Sequence, residues 1–144
     1  MNNRVKIRFP REAGLFYARY REPLKSEITG CFLHKLGPGK TPEVNEKGLR
    51  KIIALVCPHA GYVYSGPVAS HAYYAIAEDG IPDSIVIIGP NHTGMGSGVS
   101  IMVDGIWRTP FGDVPVDSEL AWRIQKESKI IDIDDSAHEN EHSI

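Results

Sequence analysis

The chain has 144 residues, the size of one compact domain, and 42% of them are hydrophobic, which is enough to form a core. The 16 Lys and Arg side chains against 18 Asp and Glu give a formal net charge of −2, which argues against nucleic acid as a partner. No apolar run approaches the roughly 20 residues of a membrane-spanning helix, and the polar opening Met1–Phe9 differs from a secretory signal. The composition therefore predicts a soluble, cytoplasmic protein that does not act on a membrane.

The two cysteines, Cys31 and Cys57, form neither a disulfide framework nor a paired-cysteine zinc motif. This cysteine usage agrees with a reducing compartment. A metal site in this chain would therefore use histidine and oxygen ligands. Cys57 ends an apolar run, which is more typical of a small core residue than of a reactive thiol.

In the first third of the chain, the residue pattern predicts an anchoring arm followed by connecting segments. Val5–Phe9 is a short apolar segment stopped by Pro10, and the aromatic residues within Arg11–Tyr20 extend it into a docked N-terminal arm. Leu24–Leu36 includes a candidate short helix. Gly37–Pro42 is the clearest loop, because glycine frees the backbone and proline removes a hydrogen-bond donor.

The middle of the chain predicts a β-α-β unit. Ile52–Cys57 and Ser84–Ile88 are continuous apolar runs, each ended by a proline, as in strands covered on both faces. Between them, a start signal at Ser65–Pro67 and apolar residues at helical spacing up to Gly80 predict a helix. Such a unit places parallel strand ends on one edge of a sheet. We predict an α/β fold with a parallel or mixed central sheet and helices on both faces.

The last third predicts three more elements before the chain becomes acidic and rich in histidine. Val99–Val103 predicts a strand, and Asp117 is a candidate cap for a helix over Ser118–Glu127. Ile130–Ile133 predicts a short strand.

Two histidines follow the two predicted central strands at equivalent positions. His59 lies two residues past the first strand, and His92 lies in the glycine-rich loop after the second. Adjacent strands are about 5 Å apart, so two imidazoles at matching strand ends could share an ion at about 2.1 Å each. The alternative is a pair of loop histidines bonded to backbone, and the pattern alone leaves both interpretations open.

Three other features have weaker chemical interpretations. The cluster His138–His142 could offer a further ligand, a proton-transfer group or a solvated acidic face, and spacing alone favours the solvated face. Gly94–Gly98 does not have the Lys-Ser/Thr ending of a phosphate loop and is interpreted as a flexible lip of the site. Ser65 does not stand in the Gly-x-Ser-x-Gly pattern of a hydrolase.

Five sequence blocks, in order, resemble the Memo family, whose archaeal and bacterial members carry the name AmmeMemoRadiSam system protein B. One departure is Ala18, where the family usually has proline, and this affects only a local turn. Family members run to nearly twice this length, so residues 1–144 resemble a single Memo-like domain that is incomplete at its C-terminus. The blocks are Arg11–Tyr17, Cys57–Ala69, Ile88–Gly94, Trp107–Asp117 and His138–Ile144.

The resemblance implies a fold like that of the class III extradiol dioxygenases, an α/β sandwich with a non-haem metal site. It implies that His59 and His92 are ligands of iron or copper, and that His142 occupies the position of the dioxygenase acid/base histidine. A third ligand is implied to come from the missing half. The chain by itself is therefore expected to hold metal weakly and to be inactive.

Two classes of function follow from the resemblance. One is a metal-dependent oxidoreductase acting on a small molecule; the other is a non-catalytic metal-binding or peptide-binding adaptor, since eukaryotic Memo proteins are described as adaptors for phosphotyrosine peptides. The family's composite name also implies a link to radical-SAM proteins. A phosphopeptide site needs a basic cleft, and Arg108 is the one candidate anion anchor near the predicted loops, which favours the metal hypothesis. An exposed half-sheet would further predict self-association.

Overall fold

The structure is a computed structural model that describes residues 5–143. The first four residues of the polar opening and Ile144, the end of the last family block, lie outside the described residues. The chain forms two compact units. We call Glu12–Val86 the helical unit, and the described residues up to Arg11 together with Ile87–Ser143 the sheet unit. Among residues 5–143, no helix combines the length and apolar character needed to cross a membrane.

The helical unit is built on two packed helices, α1 (Arg21–Leu33) and α2 (Tyr62–Asp79). Both helices confirm the sequence prediction, although α2 begins three residues before the start signal at Ser65. The helices approach closely at Gly66, where a Cβ atom would lie 2.5 Å from the sulfur of Cys31. A side chain at this position would therefore push α1 away from α2.

The two predicted central strands are not strands in this structure. Neither Ile52–Cys57 nor Ser84–Ile88 forms a ladder with any segment of residues 5–143. Ile53 and Val56 are each 100% exposed, and Ile88 is 92% exposed. An extended segment becomes a strand only when a neighbour pairs with its N–H and C=O groups and a second layer covers its side chains. The predicted β-α-β unit is therefore wrong for this chain, and so is a central sheet built on it.

The sheet unit contains a small mixed sheet instead. The strands β1 (Ile7–Arg8), β3 (Ile106–Thr109) and β4 (Gly112–Pro115) lie in the order β1-β3-β4. The β1–β3 pair is parallel and the β3–β4 pair is antiparallel. The predicted N-terminal arm is thus docked as an edge strand. The β3–β4 hairpin was not among the elements predicted from the sequence.

A second ladder and two helices complete the sheet unit. The strands β2 (Ser100–Ile101) and β5 (Asp132–Ile133) pair in parallel, within the two segments predicted as strands. Helix α3 spans Ser118–Glu127 as predicted, and Asp117 Oδ1 accepts the N–H of Leu120 at 3.0 Å. A short helix, α4 (Ser136–Glu139), follows β5. The fold is α/β with a small mixed sheet.

Candidate metal centre

The loop that carries His92 is shaped by its own side chains. Asn91 Oδ1 accepts the N–H of Gly94 at 2.9 Å and the hydroxyl of Thr93 at 3.1 Å, and Asn91 Nδ2 donates to the carbonyl of Met95 at 2.9 Å. Asparagine in this role closes a turn on its own backbone. The loop is therefore ordered by local hydrogen bonds rather than a free lip.

The same loop is fastened to the segment that begins α4. Ser97 donates its N–H to Asp134 Oδ2 at 2.7 Å, and the hydroxyl of Ser136 donates to Asp134 Oδ1 at 2.6 Å. Gly96 has a φ of +67°, and a Cβ there would lie 2.5 Å from Asp134 Oδ2 and 2.9 Å from Cβ of Ala137. Glycine is required at this position by both the backbone conformation and the close approach.

The C-terminal turn of the sheet unit brings Glu141 and His142 to His92. Glu141 Oε1 lies 2.7 Å from His92 Nδ1, and the rings of His92 and His142 stack with centroids 4.6 Å apart and planes inclined at 21°. One ligand atom from each of the three residues lies within 4.8 Å of the other two. Glu141 is buried, His142 is half-buried and His92 is exposed, so the cluster opens to solvent at His92.

The carboxylate of Glu141 is surrounded by donors. Partial burial disfavours its charge, but hydrogen bonds from the His92 ring and from the backbone N–H groups of His142, His92 and Ser143 outweigh that cost. Together they hold the pKa of Glu141 well below its ordinary value. The group is an ionised acceptor at neutral pH.

Arg8 of the edge strand supports the turn that carries the cluster. Its guanidinium donates to the carbonyl of His138 at 3.3 Å and to the carbonyl of Glu141 at 2.5 Å, and it lies 4.5 Å from the centroid of the Trp107 ring. Burial lowers the pKa of His138, whose Nε2 lies 3.4 Å from the hydroxyl of Ser100. Glu141 and Ser143 are buried in the sheet unit, so the solvated-face interpretation is wrong for Glu141.

The structure brings together two of the three predicted site residues. His92 and His142 are neighbours, whereas His59 belongs to the helical unit, three residues before α2. The sharing of an ion by His59 and His92 stays a prediction. Glu141 was missed as an individual residue, although its position next to His142 and the expectation of oxygen ligands were the signals that could have identified it.

The donor set suits iron or copper. Imidazole binds both metals, and a carboxylate that hydrogen-bonds a metal-binding histidine is common at such sites. Two ligand atoms on one ion at about 2.1 Å each can be at most about 4.2 Å apart, so ligand atoms spaced up to 4.8 Å apart have to move slightly closer to share an ion. The identity of the metal does not follow from the donors alone.

The candidate anion anchor is engaged elsewhere. Arg108 donates from Nε to Asp113 Oδ1 and from an Nη to Asp113 Oδ2, both at 2.8 Å, across the β3–β4 hairpin. Its guanidinium also lies 5.4 Å from the centroid of the Phe9 ring. A two-point pair of this kind satisfies the guanidinium in the way a phosphate would. Arg108 therefore stabilises the β3–β4 hairpin through its ion pair with Asp113.

Comparison with known proteins places these residues in a family. The chain is 56% identical over 137 residues to a MEMO1 family protein of Methanothermobacter thermautotrophicus, a match that covers 95% of this chain and 49% of the relative. It is 52% identical over 139 residues to a MEMO1 family protein of Sulfurisphaera tokodaii, covering 96% and 49%. The chain thus spans about half the length of the curated relatives it matches. The family profile described as Memo-like protein matches residues 8–144, and the chain belongs to the Memo-like protein family.

Proposed function

We propose that this chain contributes a metal-binding site to a Memo-like protein that acts as a metal-dependent oxidoreductase. The observation that carries the proposal is the meeting of His92, Glu141 and His142, whose ligand atoms lie within 4.8 Å of one another. Two imidazoles next to a buried carboxylate at a solvent-open position are suited to a non-haem ion with room for a small molecule.

The residues have different tasks in this proposal. Iron or copper, when bound, supplies Lewis acidity and redox chemistry. His92 binds the ion, and the ring of His142, half-buried beside it, holds or moves a proton. From the family resemblance we also propose His59 as a further ligand. The same resemblance supports the proposed likeness to class III extradiol dioxygenases.

Metal content measured by elemental mass spectrometry, on protein purified without chelator, tests the site. We expect less than one equivalent of iron or copper in the parent chain, because a third ligand is implied to lie in the missing half, and loss of that metal in His92→Ala. The control is His71→Ala, because His71 lies on α2, where its Nε2 is 3.1 Å from the carbonyl of Leu36. Unchanged metal in His92→Ala would contradict the ligand assignment, and His59→Ala tests the ligand that the resemblance assigns.

The adaptor function is the competing proposal and has its own measurement. Titration of the chain with a phosphotyrosine peptide should show no saturable binding, because Arg108 is already paired with Asp113. Saturable binding that persists in His92→Ala would favour an adaptor over an oxidoreductase. The link to radical-SAM proteins and the cytoplasmic location stay proposals that rest on the family's composite name and on cysteine usage.

A further inference from the structure

The carboxylate of Glu141 is the most heavily hydrogen-bonded side chain at the candidate metal centre. Oε1 lies 2.7 Å from His92 Nδ1 and accepts the N–H groups of His142 at 2.8 Å and Ser143 at 2.9 Å. Oε2 accepts the N–H groups of His92 at 2.7 Å and Thr93 at 3.4 Å. These five contacts join the loop at 92–93 to the turn at 141–143.

This arrangement determines which nitrogen of His92 carries the proton. Backbone N–H groups can only donate, and they approach both oxygens of Glu141. Their presence favours the ionised carboxylate, which only accepts. The contact at 2.7 Å therefore requires a proton on His92 Nδ1, and the lone pair of His92 is left on Nε2.

The same contacts argue against Glu141 as a direct metal ligand. A carboxylate has about four lone-pair positions, and the five donors already occupy them. A bond from Glu141 to an ion would have to displace backbone N–H groups that bind its carboxylate, and the residue is only 8% exposed. An imidazole with its proton on Nδ1, in contrast, carries its lone pair on Nε2.

We infer that Glu141 is a positioning residue: its carboxylate fixes His92 in the Nδ1–H tautomer, so that Nε2 is the metal-binding atom, and it holds His142 alongside. The inference rests on the proposed metal site for the role of Nε2. The tautomer of His92 is a property of the protein without metal. The tautomer assignment and the proposed metal site can therefore fail separately.

Long-range proton–nitrogen correlation spectra of the metal-free chain test the tautomer. We expect His92 to carry its proton on Nδ1 in the parent and to lose this preference in Glu141→Ala, which removes both acceptor oxygens. Glu139→Ala is the matched control, because Glu139 is an exposed glutamate two residues away in the same segment. A parent spectrum with the proton on Nε2 would overturn the inference, even where Glu141→Ala fails to fold.

Titration with copper(II) alone, followed by electron paramagnetic resonance, tests the metal-facing part. In Glu141→Ala we expect nitrogen couplings from imidazole to persist while the affinity falls about 10-fold to 100-fold, as for other residues that orient a metal-binding histidine. Loss of binding as complete as in His92→Ala would show Glu141 to be a direct ligand and would overturn the positioning role. A parent that binds no copper but keeps the Nδ1–H form would defeat the proposed function while supporting the tautomer assignment.

Discussion

Individual residues at the candidate metal centre are held by short side-chain-to-backbone hydrogen bonds. Glu141 and Asp134 play parallel parts, since each is a carboxylate that fastens the glycine-rich loop to the C-terminal segment. Glu141 accepts the backbone N–H of His92, and Asp134 accepts the backbone N–H of Ser97. Two carboxylates thus fix the loop at both of its ends.

Asp134 gives the sheet unit a stability that depends on pH. The hydroxyl of Ser136 and the backbone N–H of Ser97 hold the pKa of Asp134 at about 2, below its ordinary value of 3.8. A lowered carboxyl pKa stabilises the folded state above the unfolded value, and this contribution is lost as pH falls through the folded value. We expect the free energy of unfolding to fall between about pH 4 and pH 2, and Asp134→Asn to remove that part of the slope.

Urea unfolding at several pH values measures the effect as the difference between parent and Asp134→Asn. Other carboxyl groups titrate in both proteins and cancel in this difference. If the free energy of unfolding changed equally with pH in the parent and in Asp134→Asn, the role given to Asp134 would be contradicted.

At the scale of elements, the helical unit depends on the packing of α1 against α2. Gly66 makes it possible, because a Cβ there would meet Cys31 Sγ at 2.5 Å. Gly30 lies in α1 at an exposed position, and a Cβ there would meet nothing within 4 Å. Both glycines are inside helices, yet they have different reasons to be there.

Alanine substitutions at these glycines should act in opposite directions. Gly30→Ala should stabilise the chain by about 0.8 to 1 kcal/mol, the helix-propensity difference between the two residues. Gly66→Ala should destabilise it, because an overpacking cost of about 1 to 3 kcal/mol exceeds the same gain. Thermal and urea unfolding measure both changes.

The matched control for the packing effect is Cys31→Ala combined with Gly66→Ala. Removal of the sulfur leaves Cys31 Cβ at 3.6 Å from the new methyl group, an ordinary contact distance. The double variant should therefore recover stability relative to Gly66→Ala. A Gly66→Ala protein as stable as the parent would show that α1 does not depend on this close approach.

At the scale of the whole molecule, the chain exposes side chains that a globular protein normally covers. Ile53 and Val56 are fully exposed in the helical unit, and Ile88 is 92% exposed in the sheet unit. Exposed apolar segments of this kind, outside any strand ladder of residues 5–143, favour association with other copies. The chain also spans about half the length of its relatives.

We expect the chain to self-associate as its concentration rises, and the Ile53→Lys, Val56→Lys double variant to associate less. Two added charges raise the cost of burying the segment in a contact between copies. Val44→Lys is the control, because Val44 is 57% exposed but lies outside the two apolar runs. Sedimentation velocity over a range of concentrations distinguishes the outcomes, and a parent that stays monomeric throughout would contradict the expectation.

Local signals were sufficient where an element depends on its own residues. Asp117 caps α3 through the N–H of Leu120, three residues along the chain, so the helix Ser118–Glu127 could be read from the sequence with its bounds. The family could be read as well, because its five blocks are short runs of consecutive residues. The sequence did not reveal that Ile52–Cys57 and Ser84–Ile88 form no strand ladder within residues 5–143, because a strand exists only through its neighbours.

By itself, the sequence determined the three longer helices, the family and the candidate histidines, since each depends on residue type and near-neighbour spacing. Only the tertiary structure decided that Glu141 accepts from His92, 49 residues away, and that Arg8 binds the carbonyl of Glu141 across 133 residues. It also decided that the apolar runs lie open rather than in a sheet. Hydrogen bonds between distant segments depend on how the chain folds back on itself, and no local pattern contains that information.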